Sequence, residues 1–414
     1  MNAVPALVLF CATCLQGADL VLTGATVYPS PDARPIVDAV IVIRDTRIAT
    51  VGTRASVRIP RGARVVDCSG KFITAGFWNS HVHIFTPDLL HVRDTSAAQL
   101  NQGLDEMLNR WGFTTVFDIA SVLDNTLALR RRIESGELRG PRILTVGEPL
   151  WTESPIYVRD YLAANRIQMP VVTTRDEAAT RVRANARSGA DGIKLFTGSL
   201  QAGGKVANMP LDLVRAATNE AHRRCMPVFA HPQNSAGLEV AIAGGVDILA
   251  HTAPDSPAWT PVFAARLKEA HIALIPTLTL FDFEARKGGI SDLDRQHWID
   301  KMVTELHVFS SAGGEVLFGT DIGYTDHFDT SLEFTLMSQA GMSFQQILSS
   351  LTTNPARRFG YSGRSGRIAV GLDADLTVLE ADPARDSTAF AQVQLTIRGG
   401  KINSSVDRIR NACY

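Results

Sequence analysis

The sequence is poor in cysteine, with five in 414 residues. Cys11 and Cys14 sit in an apolar leader, so Cys68, Cys225 and Cys413 remain, too few for a disulfide framework. No sign of charge dominates either. Its 41 Lys+Arg against 42 Asp+Glu leave a formal net charge of −1, and the short run Arg130-Arg131-Arg132 reads as a solvated helix face. A nucleic-acid partner is therefore not expected. Glycine and proline, 32 and 19, stand at ordinary levels, which excludes collagen-like and low-complexity chains. Long apolar runs are missing too. The first 18 residues carry no charge, but the apolar stretch Ala3 to Leu15 falls short of the ~20 residues of a transmembrane helix. No stable membrane span is expected. The stretch suits a secretory signal with cleavage around Gly17 or Ala18, although no Lys or Arg precedes it. On that reading the protein is exported, periplasmic or secreted; if the segment is instead an apolar arm or a mis-assigned start, it is cytoplasmic.

What is present is alternation. Short strands separated by turn residues fill the region from Asp19 to Gly70: Leu20–Leu22, Ala25–Tyr28, Ala39–Arg44, Arg47–Gly52 and Val65–Asp67. The same texture returns in Ala374–Glu380 and Val393–Lys401. Between them, eight apolar runs alternate with helical patterns: Phe72–Trp78, Thr114–Asp118, Ile143–Val146, Gly192–Phe196, Pro227–Ala230, Val246–Ala250, Ile272–Thr277 and Val316–Gly319. Segment Leu211–Arg224 is typical of the helices, with Leu211, Val214, Ala217 and Ala221 at helical spacing. Eight βα units predict an α/β fold, a (β/α)8 TIM-like barrel whose chemistry lies at the C-terminal ends of the strands. The flanking pieces predict a small composite β-sandwich. The domain expectation is a leader at 1–18, a sandwich from 19–70 plus 366–405, a barrel at 71–365 and a tail at 406–414. One connection, Glu148 to Thr174, is long enough to form a lid or specificity loop.

Polar residues fall at the strand ends. His81-Val82-His83 follows the first run, and in extended chain i and i+2 project to one side, so both imidazoles can meet one ion. Alone this pattern is weak. His231 follows the fifth run, His251 the sixth and Asp321 the eighth. Four histidines and a carboxylate at corresponding strand ends suit zinc or a similar divalent ion. Lys194 lies inside Gly192–Phe196, on a strand covered on both faces, where burial favours a neutral amine. Such an amine can add carbon dioxide to give a carbamate that bridges two ions; pairing with Asp321 or another acid, or snorkelling to solvent, are the other readings. The five ligand candidates around it favour the carbamate.

These residues, with Ala75–Ser80, Gly112–Asp118, Gly189–Lys194, Gly245–His251, Gly319–Asp321, Thr353–Arg357 and Gly371–Leu376, resemble the metal-dependent hydrolases of the amidohydrolase superfamily over residues 19 to 405. The nearest likeness is to the imidazolonepropionase-like and prolidase-like branch. The resemblance implies that His81, His83 and Asp321 hold one ion, that His231 and His251 hold a second, and that N6-carboxylated Lys194 bridges them. It implies two divalent ions, with zinc the expected metal, which activate water. Asp321 is then the catalytic proton shuttle. A glutamate three residues after the fifth-strand histidine marks deaminases; here that position is Asn234. Text 319–323 also differs from the proline-containing form of dihydroorotase-like members, and Lys194 points away from mononuclear imidazolonepropionases.

The implied activity is hydrolysis of a carbon–nitrogen bond in a small amide, dipeptide or cyclic amide. Lactone or ester hydrolysis at the same site, or a non-catalytic scaffold, are the alternatives. Tyr324 and His327, in the loop after Asp321, are candidate substrate residues, a loop-fixing hydrogen bond being the other reading of His327. Tyr157, Arg159 and Tyr161 of the long loop could read a substrate carboxylate or simply face solvent. His91, His222, His271, His297 and His307 read as surface or packing residues. A homo-oligomeric state is compatible with the sequence.

Overall fold

The computed structural model describes residues 19–169 and 171–405. The expected signal at 1–18, the tail at 406–414 and Cys11, Cys14 and Cys413 lie outside the described residues. Five strands lead: β1 (Leu20–Val27), β2 (Ile36–Arg44), β3 (Arg47–Thr53), β4 (Arg64–Asp67) and β5 (Phe72–Ala75). There follow β6 (Phe77–Val82), β7 (Phe113–Asp118), β8 (Arg142–Thr145), β9 (Ile193–Phe196), a hairpin of β10 (Gly198–Leu200) and β11 (Val206–Asn208), then β12 (Val228–His231), β13 (Ile248–Ala250) and β14 (Ala273–Ile275). The chain closes with β15 (Leu376–Leu379), β16 (Val393–Arg398) and β17 (Lys401–Ser405).

Strands from both ends share one sheet, in the order β17-β16-β15-β5-β1-β2-β3 with β4 beside β1. Alternation gives it two apolar faces: Leu20, Leu22, Ile41, Ile43, Leu376 and Ile397 join one buried cluster, while Val21, Val40 and Val42 join another. This is the composite β-sandwich.

The parallel sets β6-β7-β8 and β9-β12-β13-β14 make the barrel wall. Its two seams are closed by short sets of backbone hydrogen bonds. Leu150 N–H donates to Lys194 O (2.8 Å), and Leu150 O accepts from Phe196 N–H (2.9 Å). On the other side, Leu317 N–H donates to Leu274 O (2.9 Å) and Ser80 N–H to Phe318 O (2.7 Å). The floor is aromatic: Trp78, Phe117 and Phe229 fill the interior, and Phe359 stacks on Trp78 at 5.8 Å. Around the wall stand amphipathic helices such as Leu211–His222, whose Leu213, Val214, Ala217 and Ala221 are buried.

Three expectations change. Leu20–Leu22 and Ala25–Tyr28 are one strand, β1, irregular near Gly24. The run Phe72–Trp78 is two strands, because the chain crosses from sandwich to barrel at Gly76. A Cβ there would lie 2.3 Å from Thr114 Oγ1, so only glycine permits the crossing. Phe72–Ala75 therefore pairs with β1 and β15 rather than with β7. Finally, Val316–Gly319 closes the barrel with an isolated bridge from Val316 to Leu274 instead of a regular ladder.

Candidate metal centre

β6 carries His81 and ends one residue before His83, and it is bulged. Asn79 pairs with Val116 and Val82 with Asp118, so β6 has one residue more than β7 across this interval. The extra residue breaks the period of two. Trp78 can therefore face the barrel floor while His81, three positions on, turns inward to the mouth. Asn79 fixes the bulge: its Oδ1 accepts His81 N–H (3.2 Å) and its Nδ2 donates to Thr320 Oγ1 (2.8 Å).

At the mouth the electron-rich atoms converge. His81 Nε2 lies 3.3 Å from His83 Nε2 and 3.4 Å from Asp321 Oδ2. His83 Nε2 is 2.8 Å from Asp321 Oδ1, and His251 Nε2 is 3.5 Å from Asp321 Oδ2. Ligand atoms of His81, His251 and Asp321 all fall within 4.8 Å of one another. Hydrogen-bond partners assign the protons. His83 Nδ1 is 2.8 Å from Ala120 O, which only accepts, so Nδ1 carries the hydrogen and Nε2 a lone pair. His251 Nδ1 is 2.6 Å from Thr277 Oγ1, whose own hydrogen goes to Pro276 O (2.9 Å), so His251 Nδ1 donates and its Nε2 too is bare.

Burial, helped by Lys194 and the neighbouring imidazoles, holds His81 well below the usual histidine range, and burial does the same to His251. Asp321 Oδ1 accepts no hydrogen bond among the described residues. The lone pairs of His83 Nε2 and His251 Nε2 facing the Asp321 carboxylate fit a cation.

Lys194 and His231 flank this cluster. Lys194 is 1% exposed and makes no ion pair among the described residues, so neither pairing nor snorkelling applies. Burial lowers its amine to about 7 against the opposing pull of Asp321. His231, driven down to about 3 chiefly by burial, stands beside His251 with rings 4.9 Å apart. Its Nε2, however, is engaged by Gln233 Oε1 (3.2 Å) and Tyr157 Oη (3.3 Å) rather than by the cluster.

The long connection after β8 forms helix Ile156–Ala164 over the mouth. Tyr157, Tyr161, Leu162 and Met169 line the cavity, whereas Arg159 points away, onto Ser154 O (2.9 Å) and Gln201. Tyr324 also lines it, its hydroxyl donating to Glu284 Oε1 (2.7 Å). His327 does not; its side chain is exposed and outside the cavity wall, although Asp326 and Phe328 beside it belong to that wall. Asn234 caps helix Ser235–Gly244, accepting Gly237 N–H at 2.8 Å, a structural use of the position where deaminases carry glutamate. His222 and His307 bond Asp247 and Ala340 O, away from the site.

Sequence reasoning missed Thr277, Gln233 and Glu284. Thr277 had a signal, a polar residue closing the seventh apolar run; Gln233 stands two positions after His231; Glu284 lies on a helix with no motif.

The chain is similar to known proteins in sequence and fold. The amidohydrolase family matches residues 72–403. A dihydroorotase of Anaeromyxobacter sp. (strain K) is 23% identical over 387 residues, 83% of this chain and 86% of the relative. The crystal structure of a presumed prolidase from Bifidobacterium longum superposes with a TM-score of 0.77 at 26% identity, covering 94% of this chain and 95% of that one. A Xaa-Pro dipeptidase with methionine in its active site gives a TM-score of 0.79 at 22% identity, covering 93% and 99%.

Proposed function

The chain belongs to the amidohydrolase family and is a hydrolase of C–N bonds, and from that premise we propose that it cleaves small amides with divalent metal, zinc being the expected ion. His81, His83, His251 and Asp321 are the first donors of the set, His231 and carboxylated Lys194 its remainder. The observation that carries this reading is the cluster itself, where ligand atoms of His81, His251 and Asp321 lie within 4.8 Å of one another. When bound, the metal supplies a water acidic enough to lose its proton near neutral pH and a Lewis acid for the substrate carbonyl.

The chain's own residues do the rest. Asp321, 3% exposed and tethered by its N–H to His81 O (2.9 Å), takes the proton of the attacking water. As the C–N bond breaks, it returns that proton to the leaving nitrogen, which departs as an amine. The Tyr157 hydroxyl, beside His231, stands at the edge of the reacting space, and the helix Ile156–Ala164 above it excludes water. Commitment of Asn234 to its helix cap argues against a deaminase in the same barrel.

Metal analysis with kinetics tests the proposal. The purified chain supplied with zinc should hold about two ions, and Asp321→Asn should lower kcat by roughly a thousandfold or more with the fold retained. A variant with near-normal kcat would remove Asp321 as the shuttle.

A further inference from the structure

Thr277 stands between β14 and the helix Leu278–Lys287, where it is the N-cap residue. A threonine in that place ordinarily has extended backbone and accepts the second or third N–H of the helix on its hydroxyl. Thr277 does neither: its φ and ψ are 46° and 51°, and its side chain caps nothing. The hydroxyl is committed to the metal centre instead, receiving His251 Nδ1–H (2.6 Å) and donating to Pro276 O (2.9 Å). The first N–H groups of the helix are left to find an acceptor elsewhere, at an end where Leu278 is buried.

Glu333 takes over the cap from another element. It lies in the first turn of the helix Ser331–Gln339, which follows the Asp321 loop, and it is 0% exposed. Its Oε1 accepts Leu278 N–H (2.9 Å); its Oε2 accepts Thr279 N–H (2.8 Å) and the Thr279 hydroxyl. These side-chain hydrogen bonds all come from the one turn that Thr277 opens. A carboxyl group so deep is costly to desolvate unless such donors compensate. Glu333 does not line the cavity, so it reaches the chemistry only through the turn it holds.

We propose that Glu333 is a positioning residue of the metal centre, acting through Thr277 on His251. By binding the N–H groups of Leu278 and Thr279 it keeps Thr277 in the left-handed conformation, which a β-branched residue does not hold unaided. That conformation keeps the Thr277 hydroxyl on His251 Nδ1, and the ring then presents Nε2 to Asp321. The path runs from the helix after the eighth run, through the end of the seventh, to the histidine that follows the sixth. The proposal rests on the metal reading and adds to it a residue that touches neither ion nor substrate.

Glu333→Gln tests it, because the amide keeps the shape but turns a donor towards one of the N–H groups. Zinc affinity of the full chain, measured by competition against a chromophoric chelator, should fall about tenfold with the circular dichroism unchanged. In a Thr277→Val background, where the hydroxyl is already missing, the same replacement should lower affinity by less than about twofold. Unaltered affinity in the single variant, or an equal fall in both backgrounds, overturns the proposal. Should Glu333→Gln fail to fold, Thr279→Val, which removes only the hydroxyl bond, is measured in the same two backgrounds and decided by the same outcomes. A further readout needs no metal. Imidazole nitrogen NMR of the metal-free chain should show His251 with its proton on Nδ1, and Glu333→Gln should convert this to a mixture of tautomers; an unchanged tautomer overturns the proposal. If the unaltered chain binds no zinc, the metal reading fails, and the spectra still decide whether Glu333 governs His251.

Discussion

Four residues at the mouth of the barrel, none of them glycine, hold positive φ: Gln233 (55°), His251 (132°), Thr277 (46°) and Asp321 (62°). Each such conformation costs on the order of 1–3 kcal/mol and persists only where its surroundings enforce it. His251 shows what the strain achieves. Ala250 faces the barrel interior, so regular alternation would send the next side chain outward; the positive φ interrupts that alternation, and His251 faces Asp321. Thr277 then locks the ring through Nδ1. Thr277→Val keeps the shape of the side chain and removes the acceptor, so metal affinity should fall roughly 10- to 100-fold with the fold unchanged. Competition against a chromophoric chelator measures this, and unaltered affinity would remove Thr277 from the role. The histidines were legible in the sequence because imidazoles at strand ends are conspicuous. Thr277 was not, since a threonine closing a strand is usually there for its β-branched shape.

Elements explain why the strand alternation could be read and its details could not. Eight apolar runs mark the barrel, but a continuous run conceals a crossing such as that at Gly76, and no periodicity announces the bulge in β6 that aims His81. The eighth run shows the same limit. It reads as a strand, yet it is pressed so near its neighbours that a Cβ on Gly319 would lie 2.3 Å from Ile275 Cγ2 and 2.7 Å from His81 Cβ. Gly319→Ala should therefore destabilise the protein by about 1–3 kcal/mol, read as a lower urea midpoint at unchanged m. An unchanged midpoint would mean that this seam yields freely.

The helix Asp292–Ser311 carries a different constraint. Glu305 is fully buried, with Lys301 Nζ at 3.0 Å. Burial raises its carboxyl to about 7 despite the lysine. The folded state thus binds its proton more tightly than the unfolded chain. The resulting stabilisation, on the order of 3 kcal/mol, is fully present below the unfolded pKa near 4.5 and disappears as pH rises through about 7. Glu305→Gln should flatten this part of the stability–pH curve; an identical slope in the variant would contradict the assignment.

At the scale of the whole molecule, the sandwich and the barrel are joined by buried charge. Arg142, at the start of β8, donates to Asp373 Oδ2 (3.0 Å), lies 3.7 Å from Asp375 Oδ2 and covers the Tyr361 ring at 5.1 Å. Both aspartates belong to the segment leading into β15, so the contact ties a barrel strand to the entry of a sandwich strand, Asp373 lying 231 residues from Arg142 in sequence. Asp373 has further partners in Arg47 and Arg364. Asp375 has the Gly399 N–H (2.7 Å) on its other oxygen. The Gly371–Leu376 text was legible as a motif, but Arg142 was not, because its partners are set by the fold rather than by spacing. Arg142→Ala would leave Asp375 buried without its guanidinium, a loss of about 3–5 kcal/mol where a buried pair is broken. Burial already raises the Asp375 carboxyl, and removing the cation raises it further. Protonation should therefore relieve the defect, making the destabilisation smaller at about pH 5 than at about pH 8. Urea unfolding of the unaltered protein and of the variant at both pH values measures the difference. An equal loss at both, or one below about 1 kcal/mol, would show that the two parts are held together by the apolar contacts between them rather than by Arg142.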